Sequence, residues 1–292
     1  MAIVNPIIFL SCFFLFACEL DDEDIDKQHL SSNSEIRFVT LAPHLTELLF
    51  SAGAGDSLVG SDRFSNYPIT ALGLPSIGDA FRIDYEKIIQ LSPDFILSWK
   101  NGTPAQVTDY LSNIGLKVIS LESSKLTDIP KQIEYLGLLA NTSNIANLAA
   151  EKFRLQLLEI RQRHANLSLV SVFFQISNKP LVTVSNNHIL ADAIEICGGK
   201  NIFPNLNSVA PIVDFESIVA ANPSAILVVA PEGEEDWESF WKPWSQMEAV
   251  AKENIYSVEA DLVSRPGPRL IQGISQICDA LAITRKSFLI DS

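Results

Sequence analysis

The sequence predicts an α/β chain of two lobes joined by a long helix, and three observations predict it. Short, β-branched apolar runs alternate with helical patterns from Ile36 onward. Strand signals then vanish between Thr127 and His164, and a second alternating series follows. Finally, one helix-proline-strand pattern occurs twice, once in each series. Alternation of this kind indicates a mostly parallel sheet covered by helices, so each lobe is expected to be Rossmann-like.

In the first series, IRFVTL (36–41) reads as a buried strand and APHLTELLFSAG (42–53) as a helix ending at Gly53. LVGS (58–61) is a strand, followed by a proline-punctuated stretch to Gly78. DYEKIIQL (84–91) reads as a short amphipathic helix and FILSW (95–99) as a strand. TPAQVTDYLSNIG (103–115) has a capping residue, Thr103, ahead of Pro104 at the first helical position. KVISL (117–121) closes the first lobe, expected to span 36–125.

Connecting helices are expected over 126–166. Thr142 or Ser143 is placed to cap a helix running to about Ala165, with Ile145, Leu148, Ala149, Phe153, Leu157 and Ile160 recurring at helical spacing. At 1.5 Å per residue such a helix spans roughly 34 Å, enough to cross between lobes. The second lobe (167–292) begins with LVSVFFQ (169–175). VTVS, AILVVA and NIYSVE supply further strands, and PRLIQGISQICDALAI (268–283) a C-terminal helix.

The repeat is DYEKIIQLSPDFIL (84–97) against DFESIVAANPSAIL (214–227), which align without a gap and are identical at six of fourteen places. General α/β patterning accounts for the apolar matches. It accounts less well for the shared Asp-Tyr/Phe-Glu at the helix start. Carboxylates in a first turn favour the helix dipole by about 0.3–1 kcal/mol. Their paired placement, Glu86 and Glu216, points instead to a docking surface for something two-fold.

The chain ends and composition set the compartment. NPIIFLSCFFLFAC (5–18) contains an apolar run of roughly a dozen residues, too short to span a bilayer and matching the core of a secretory signal. Leu15-Phe16-Ala17-Cys18 resembles a bacterial lipobox with Cys18 as the lipidated residue, although Phe16 is bulky and no Lys or Arg precedes the run. The polar stretch 19–35 reads as an acidic linker, so an exported domain, tethered through Cys18, begins near Glu35. Cys197 and Cys278 then remain. An even pair in an exported protein is a candidate disulfide, closing a loop of about eighty residues and worth roughly 4 kcal/mol; two buried free thiols are the alternative. With 35 acidic and 21 basic residues, net charge −14, the chain lacks the basic footprint of a nucleic-acid binder.

The sequence contains no G-x-S-x-G, P-loop, C-x-x-C or H-E-x-x-H motif. His44 and Glu47, three apart at a helix start, have metal-chelating spacing, and with His188 they define one alternative, an exported metal-dependent hydrolase. A cleft-like set is better populated. Phe64 and Tyr67 lie in RFSNYP, Phe81 and Arg82 precede the first repeat helix, and Asp261 and Arg265 flank DLVSR. Trp99, at a strand end, is expected to be plain core. Ligands of α/β sheets sit beyond the carboxyl ends of strands, where these loops fall.

RFVTLAPHLTELLFSAG, LPSIGDAFRIDYEKIIQLSPDFILSW, ICGGKNIF and SRPGPRLIQGI together resemble the periplasmic cobalamin-binding proteins of bacterial ABC importers. That family belongs to the helical-backbone class of substrate-binding proteins, shared with ferric-siderophore and haem binders. The resemblance runs from Ile36 to Leu281. It implies a non-enzymatic, periplasmic protein without cofactor that carries cobalamin as transported ligand, with a ferric siderophore or haem as the alternative cargo. It implies that Glu86 and Glu216 form salt bridges with a dimeric permease and that Cys197 and Cys278 are bridged. Phe64 takes the place of the aromatic that stacks on the corrin, and Asp261 through Arg265 the place of the family's D-x-x-x-R loop. Two cleft positions where the family carries tryptophan are Ala80 and Ala210 here, with Phe81 beside the first. Of the two loop arginines, Arg265 is expected in the cleft beside Asp261 and Arg269 in a structural role.

Overall fold

The computed structural model describes residues 1–2, 36–230 and 238–290; the signal-like run, the lipobox at Cys18 and the acidic linker lie outside them. The described residues from 36 onward belong to one compact unit.

The first lobe contains β1 (Phe38–Thr40), α1 (Pro43–Ser51), β2 (Leu58–Ser61), a hairpin of β3 (Gly78–Asp79) and β4 (Arg82–Ile83), α2 (Tyr85–Gln90), β5 (Phe95–Trp99), α3 (Ala105–Asn113) and β6 (Val118–Leu121). Helices α4 (Asp128–Leu139) and α5 (Ser143–His164) follow. The second lobe contains β7 (Val170–Gln175), a hairpin of β8 (Ser177–Asn178) and β9 (Leu181–Val182), α6 (Ile189–Ile196) and β10 (Gly199–Asn201). It continues with α7 (Phe215–Ala221), β11 (Ala225–Ala230), α8 (Glu248–Ala251), β12 (Ile255–Glu259), α9 (Ala260–Val263) and α10 (Leu270–Ile290).

Among the described residues, the main strands form two four-stranded parallel sheets, β2-β1-β5-β6 and β10-β7-β11-β12. Counted within its own lobe, each runs in the order 2-1-3-4. In the first, Val39 sits between Gly60 and Ile96; in the second, Val172 sits between Asn201 and Ala225. The repeated segment occupies the same step in both lobes, the helix entering the third strand. Its first residue caps that helix: Asp84 accepts from the Lys87 amide at 3.0 Å and Asp214 from the Ser217 amide at 2.7 Å. The tight β3–β4 turn depends on Gly78, whose φ is +93° and where a Cβ would lie 1.9 Å from the Arg82 carbonyl oxygen.

An apolar cluster runs continuously through both lobes, from Phe38, Leu45 and Leu48 through Ile133 and Phe153 to Phe174, Ile274 and Leu281. Helix α5 packs on α4 and α1 on one side and on α6 and α10 on the other. The join is therefore core, not linker. The α4–α5 approach is close because Gly137 faces Ala146, where a Cβ would come within 2.2 Å. Each sheet also covers a second cluster, aliphatic in the first lobe (Val39, Ile77, Ile88, Leu111) and aromatic-rich in the second (Phe173, Trp241).

Four local expectations are corrected. Thr103 does not cap α3; its hydroxyl accepts from the Trp99 amide at 3.0 Å, and Pro104 holds the cap position. Thr142 precedes α5, yet its hydroxyl donates to the Ala52 carbonyl, tying the helix start to α1. The buried face of α5 is Ala146, Ala150, Phe153 and Ile160, while Ile145 and Leu148 are exposed, because the small residues admit α4 so closely. VTVS contributes only Val182 to a hairpin, since the β7 edge it would pair with is taken by β10. Cys197 at the end of α6 and Cys278 in α10 are joined as a disulfide, with Cα atoms 4.8 Å apart.

Candidate functional site

The carboxyl ends of both sheets open on the same cleft, as parallel strands dictate. Trp99 ends β5, Ser123 and Ser124 follow β6, Ile176 follows β7, and Val263 and Ser264 lie at the end of α9, the short helix that follows β12. These residues, with Asn101, Asn187, His188, Ala210 and Pro266, line a cavity of about 290 Å³ between the lobes. Among the described residues, none of those lining it carries a carboxylate, ammonium or guanidinium.

Trp99 is therefore cleft wall and not plain core. It stands at the open end of its strand, and its indole meets the His44 ring edge-on at 5.1 Å. His44 itself is 3% exposed. Burial, helped by the Arg265 charge, lowers its pKa to about 3, so it stays neutral. His188 precedes α6, and its Nδ1 accepts from the Leu190 amide at 3.1 Å. Burial lowers its pKa to about 4.

Charge is placed at the flanks of the cavity, and there it is paired. On one flank the Lys125 Nζ meets the Asp192 carboxylate of α6 at 2.8 Å. On the other, Arg269 donates twice to Glu47, at 2.7 and 3.0 Å, with Glu47 2% exposed. Arg265 lies 2.8 Å from Asp261 and 3.5 Å from Glu47, and donates to the Asn66 side-chain oxygen. Asn66 donates in turn to Asp261 at 3.0 Å. Both flanks thus tie one lobe to the other.

The expected cleft residues divide into two groups. Phe64 is half exposed, backed by the Arg63 guanidinium 4.5 Å above its ring. Arg63 pairs at 3.0 Å with Asp79 of the hairpin that carries Ala80 and Phe81, and Phe81 is 96% exposed at its tip. Asn66 connects this rim to Asp261 and Arg265. Phe64, Phe81, Asp261 and Arg265 thus belong to one chain of contacts. Tyr67 does not join them: its ring lies 4.3 Å beneath the Arg269 guanidinium and faces a second cavity beside α5. Arg265 stands beside Asp261 as expected, but its guanidinium is directed at Asn66 and Glu47 and the Asp261 carboxylate at Asn66, while Val263, Ser264 and Pro266 of the same segment line the cavity.

The hydrolase alternative is not assembled. Glu47 is consumed by two arginines, His44 is sealed against Trp99, and among the described residues no group of three His, Cys, Asp or Glu side chains is placed to hold a metal. Glu86 and Glu216 are exposed in the first turns of α2 and α7, and among the described residues neither makes an ion pair. Sequence reasoning missed Asn66, Ser123, Ser124 and Ser264. Of these only Asn66 carried a signal, as the polar residue inside the aromatic RFSNYP segment.

Residues 39–262 match the family model described as "Periplasmic binding protein". The chain is 31% identical to the vitamin B12-binding protein of Vibrio cholerae over 251 residues, covering 86% of this chain and 90% of that one. It is 32% identical to the vitamin B12-binding protein of Vibrio vulnificus over 247 residues, covering 84% and 90%. The crystal structure of the periplasmic vitamin B12 binding protein BtuF of Vibrio cholerae superposes with a TM-score of 0.79 at 31% identity, covering 86% of this chain and 98% of that one. Two lobes of like topology, a shared core, a cavity between them whose described lining carries no charge, and these likenesses lead to one assignment: the chain belongs to the periplasmic binding protein family, and it is a binding protein, not an enzyme.

Proposed function

We propose that this protein captures a corrinoid, cobalamin foremost, outside the inner membrane and delivers it to a dimeric ABC permease. One observation carries the choice of cargo. The described wall of the inter-lobe cavity is apolar and neutral-polar, and the arginines nearest to it are already paired with Glu47 and Asp261. Haem propionates or an anionic siderophore need an unpaired cation, whereas the carboxamide edge of a corrinoid needs hydrogen-bonding groups that cost little to desolvate. The relatives named for vitamin B12 binding support the same reading.

In this reading the ligand is larger than the cavity and extends to the rim, where Phe64 and Phe81 supply aromatic surface in place of what Ala80 and Ala210 lack. Asp261 and Arg265 exchange their bonds to Asn66 for bonds to ligand amides or phosphate. Tyr67 acts at one remove, holding Arg269. Residues 36–125 and 167–292 are the two clamping lobes, 126–166 their connection, and Cys18 the site of a lipid tether after signal removal. Glu86 and Glu216 dock on the permease, a role supported by their equivalent, exposed positions at two capped helix starts.

Calorimetric titration with cyanocobalamin, haem and a ferric siderophore tests the cargo. Tight binding of cyanocobalamin alone is expected; tight siderophore or haem binding without it replaces the reading. Glu86→Arg with Glu216→Arg is expected to abolish permease stimulation at unchanged ligand affinity, and undiminished transport would refute the docking role.

A further inference from the structure

His188 is an unusual residue for its place. The residue before a helix is commonly Asn, Asp or Ser, and two asparagines stand immediately upstream. An imidazole caps no better than those shorter groups, but it reaches further. Here it lies in the cavity wall, which Asn187 and Leu190 of its own lobe and Ser124 of the other also line.

The cap also decides which ring nitrogen carries the proton. Nδ1 accepts from the Leu190 amide, so its lone pair is engaged and the proton of the neutral ring resides on Nε2. Among the described residues Nε2 has no hydrogen-bond partner, leaving a donor for the ligand. Reversing the tautomer would set two N–H groups against each other and uncap α6.

We propose that His188 is a ligand-recognising hydrogen-bond donor, locked as the Nε2–H tautomer, which selects a carbonyl or phosphate-ester oxygen on the ligand and does not serve as an axial ligand to a metal the ligand carries. The proposal rests on the inter-lobe cavity being the ligand site. The low pKa supports it, because the ring stays neutral throughout the physiological range and its tautomer does not exchange through the imidazolium. The lock also separates classes of cargo. A metal-centred ligand recognised by coordination has no use for this ring, whereas one recognised through its amide periphery does.

Nitrogen NMR of the ring in the full, ligand-free protein is expected to give the Nε2–H pattern, and the Nδ1–H pattern overturns the proposal outright. His188→Asn keeps the cap acceptor, and its amide N–H groups, on a side chain shorter than the imidazole, no longer reach the ligand. Unchanged thermal stability is expected, with cyanocobalamin binding about tenfold weaker, the worth of one lost hydrogen bond. An unchanged Kd overturns the proposal. Ser264→Trp, which fills the cavity from an exposed wall position, then tells which reading failed. If it still weakens binding, the cavity remains the site; if it does not, the cavity reading falls too. With aquocobalamin as probe, an imidazole-ligated visible spectrum on binding would also overturn it.

Discussion

The two lobes share a strand order, a capped repeat helix and a cleft-facing edge, yet they are held together differently. The first relies on aliphatic packing around Ile77, Ile88 and Leu111. The second adds a disulfide from α6 to α10 and an aromatic cluster in which Phe215 meets Trp244 at 4.1 Å. The cavity is shared just as unevenly, with most of its wall drawn from the second lobe. Duplicated topology therefore sets where a site is, and the unduplicated loops set what it holds.

Removing the staple breaks the comparison most. Cys197→Ser with Cys278→Ser opens an 81-residue separation, and a loss of about 4 kcal/mol is expected in denaturant unfolding. Second-lobe probes such as Trp241 and Trp244 should report it before Trp99 does. Coincident transitions at the wild-type midpoint would show that the bridge adds nothing.

The two loop arginines come next. Arg269→Ala leaves Glu47 buried with only Arg265 nearby at 3.5 Å, and a loss of about 3 kcal/mol is expected. Arg265→Ala keeps the bidentate pair, so stability should change by less than about 1 kcal/mol while ligand binding weakens. Equal stability losses would undo the division between them.

Acid should loosen both lobes through one histidine each. The folded pKa of His44 is lowered to about 3 and that of His188 to about 4, both below the ordinary 6.5. The unfolded chain binds protons first, so stability is full above about pH 6.5 and falls as pH drops toward 4 and then 3. From pH 6.5 to 5 each ring contributes a loss of about 2 kcal/mol. His44→Gln and His188→Asn should each flatten the profile, and an unaltered slope would exclude that ring.

The repeat itself gives the finest test. Asp84→Ala and Asp214→Ala should each cost about 1 kcal/mol, because both remove a carboxylate accepting at the start of a helix. Unequal losses would show that the likeness of the two helix starts is only formal.

Much of this was legible beforehand, for definable reasons. Strands β2, β5 and β11 coincide with their apolar runs because parallel strands buried on both faces leave little else to form. The repeat was visible because its caps and its proline are local. Trp99 was misjudged because an aromatic at the open end of a strand looks like any other apolar residue until the second lobe faces it. The pairing of Arg265 with Asn66 spans 199 residues, and no periodicity encodes a contact between loops of different lobes.

The absence of charge in the described lining has a consequence for kinetics. The described lining offers no local charge to pull a neutral ligand into the cavity, so the proposed capture is expected to run at nearly the same rate in dilute and concentrated salt. The proposed docking through Glu86 and Glu216 is the opposite case, an encounter between charges that salt screens. On that proposal ionic strength is expected to act on delivery and to leave loading nearly unchanged.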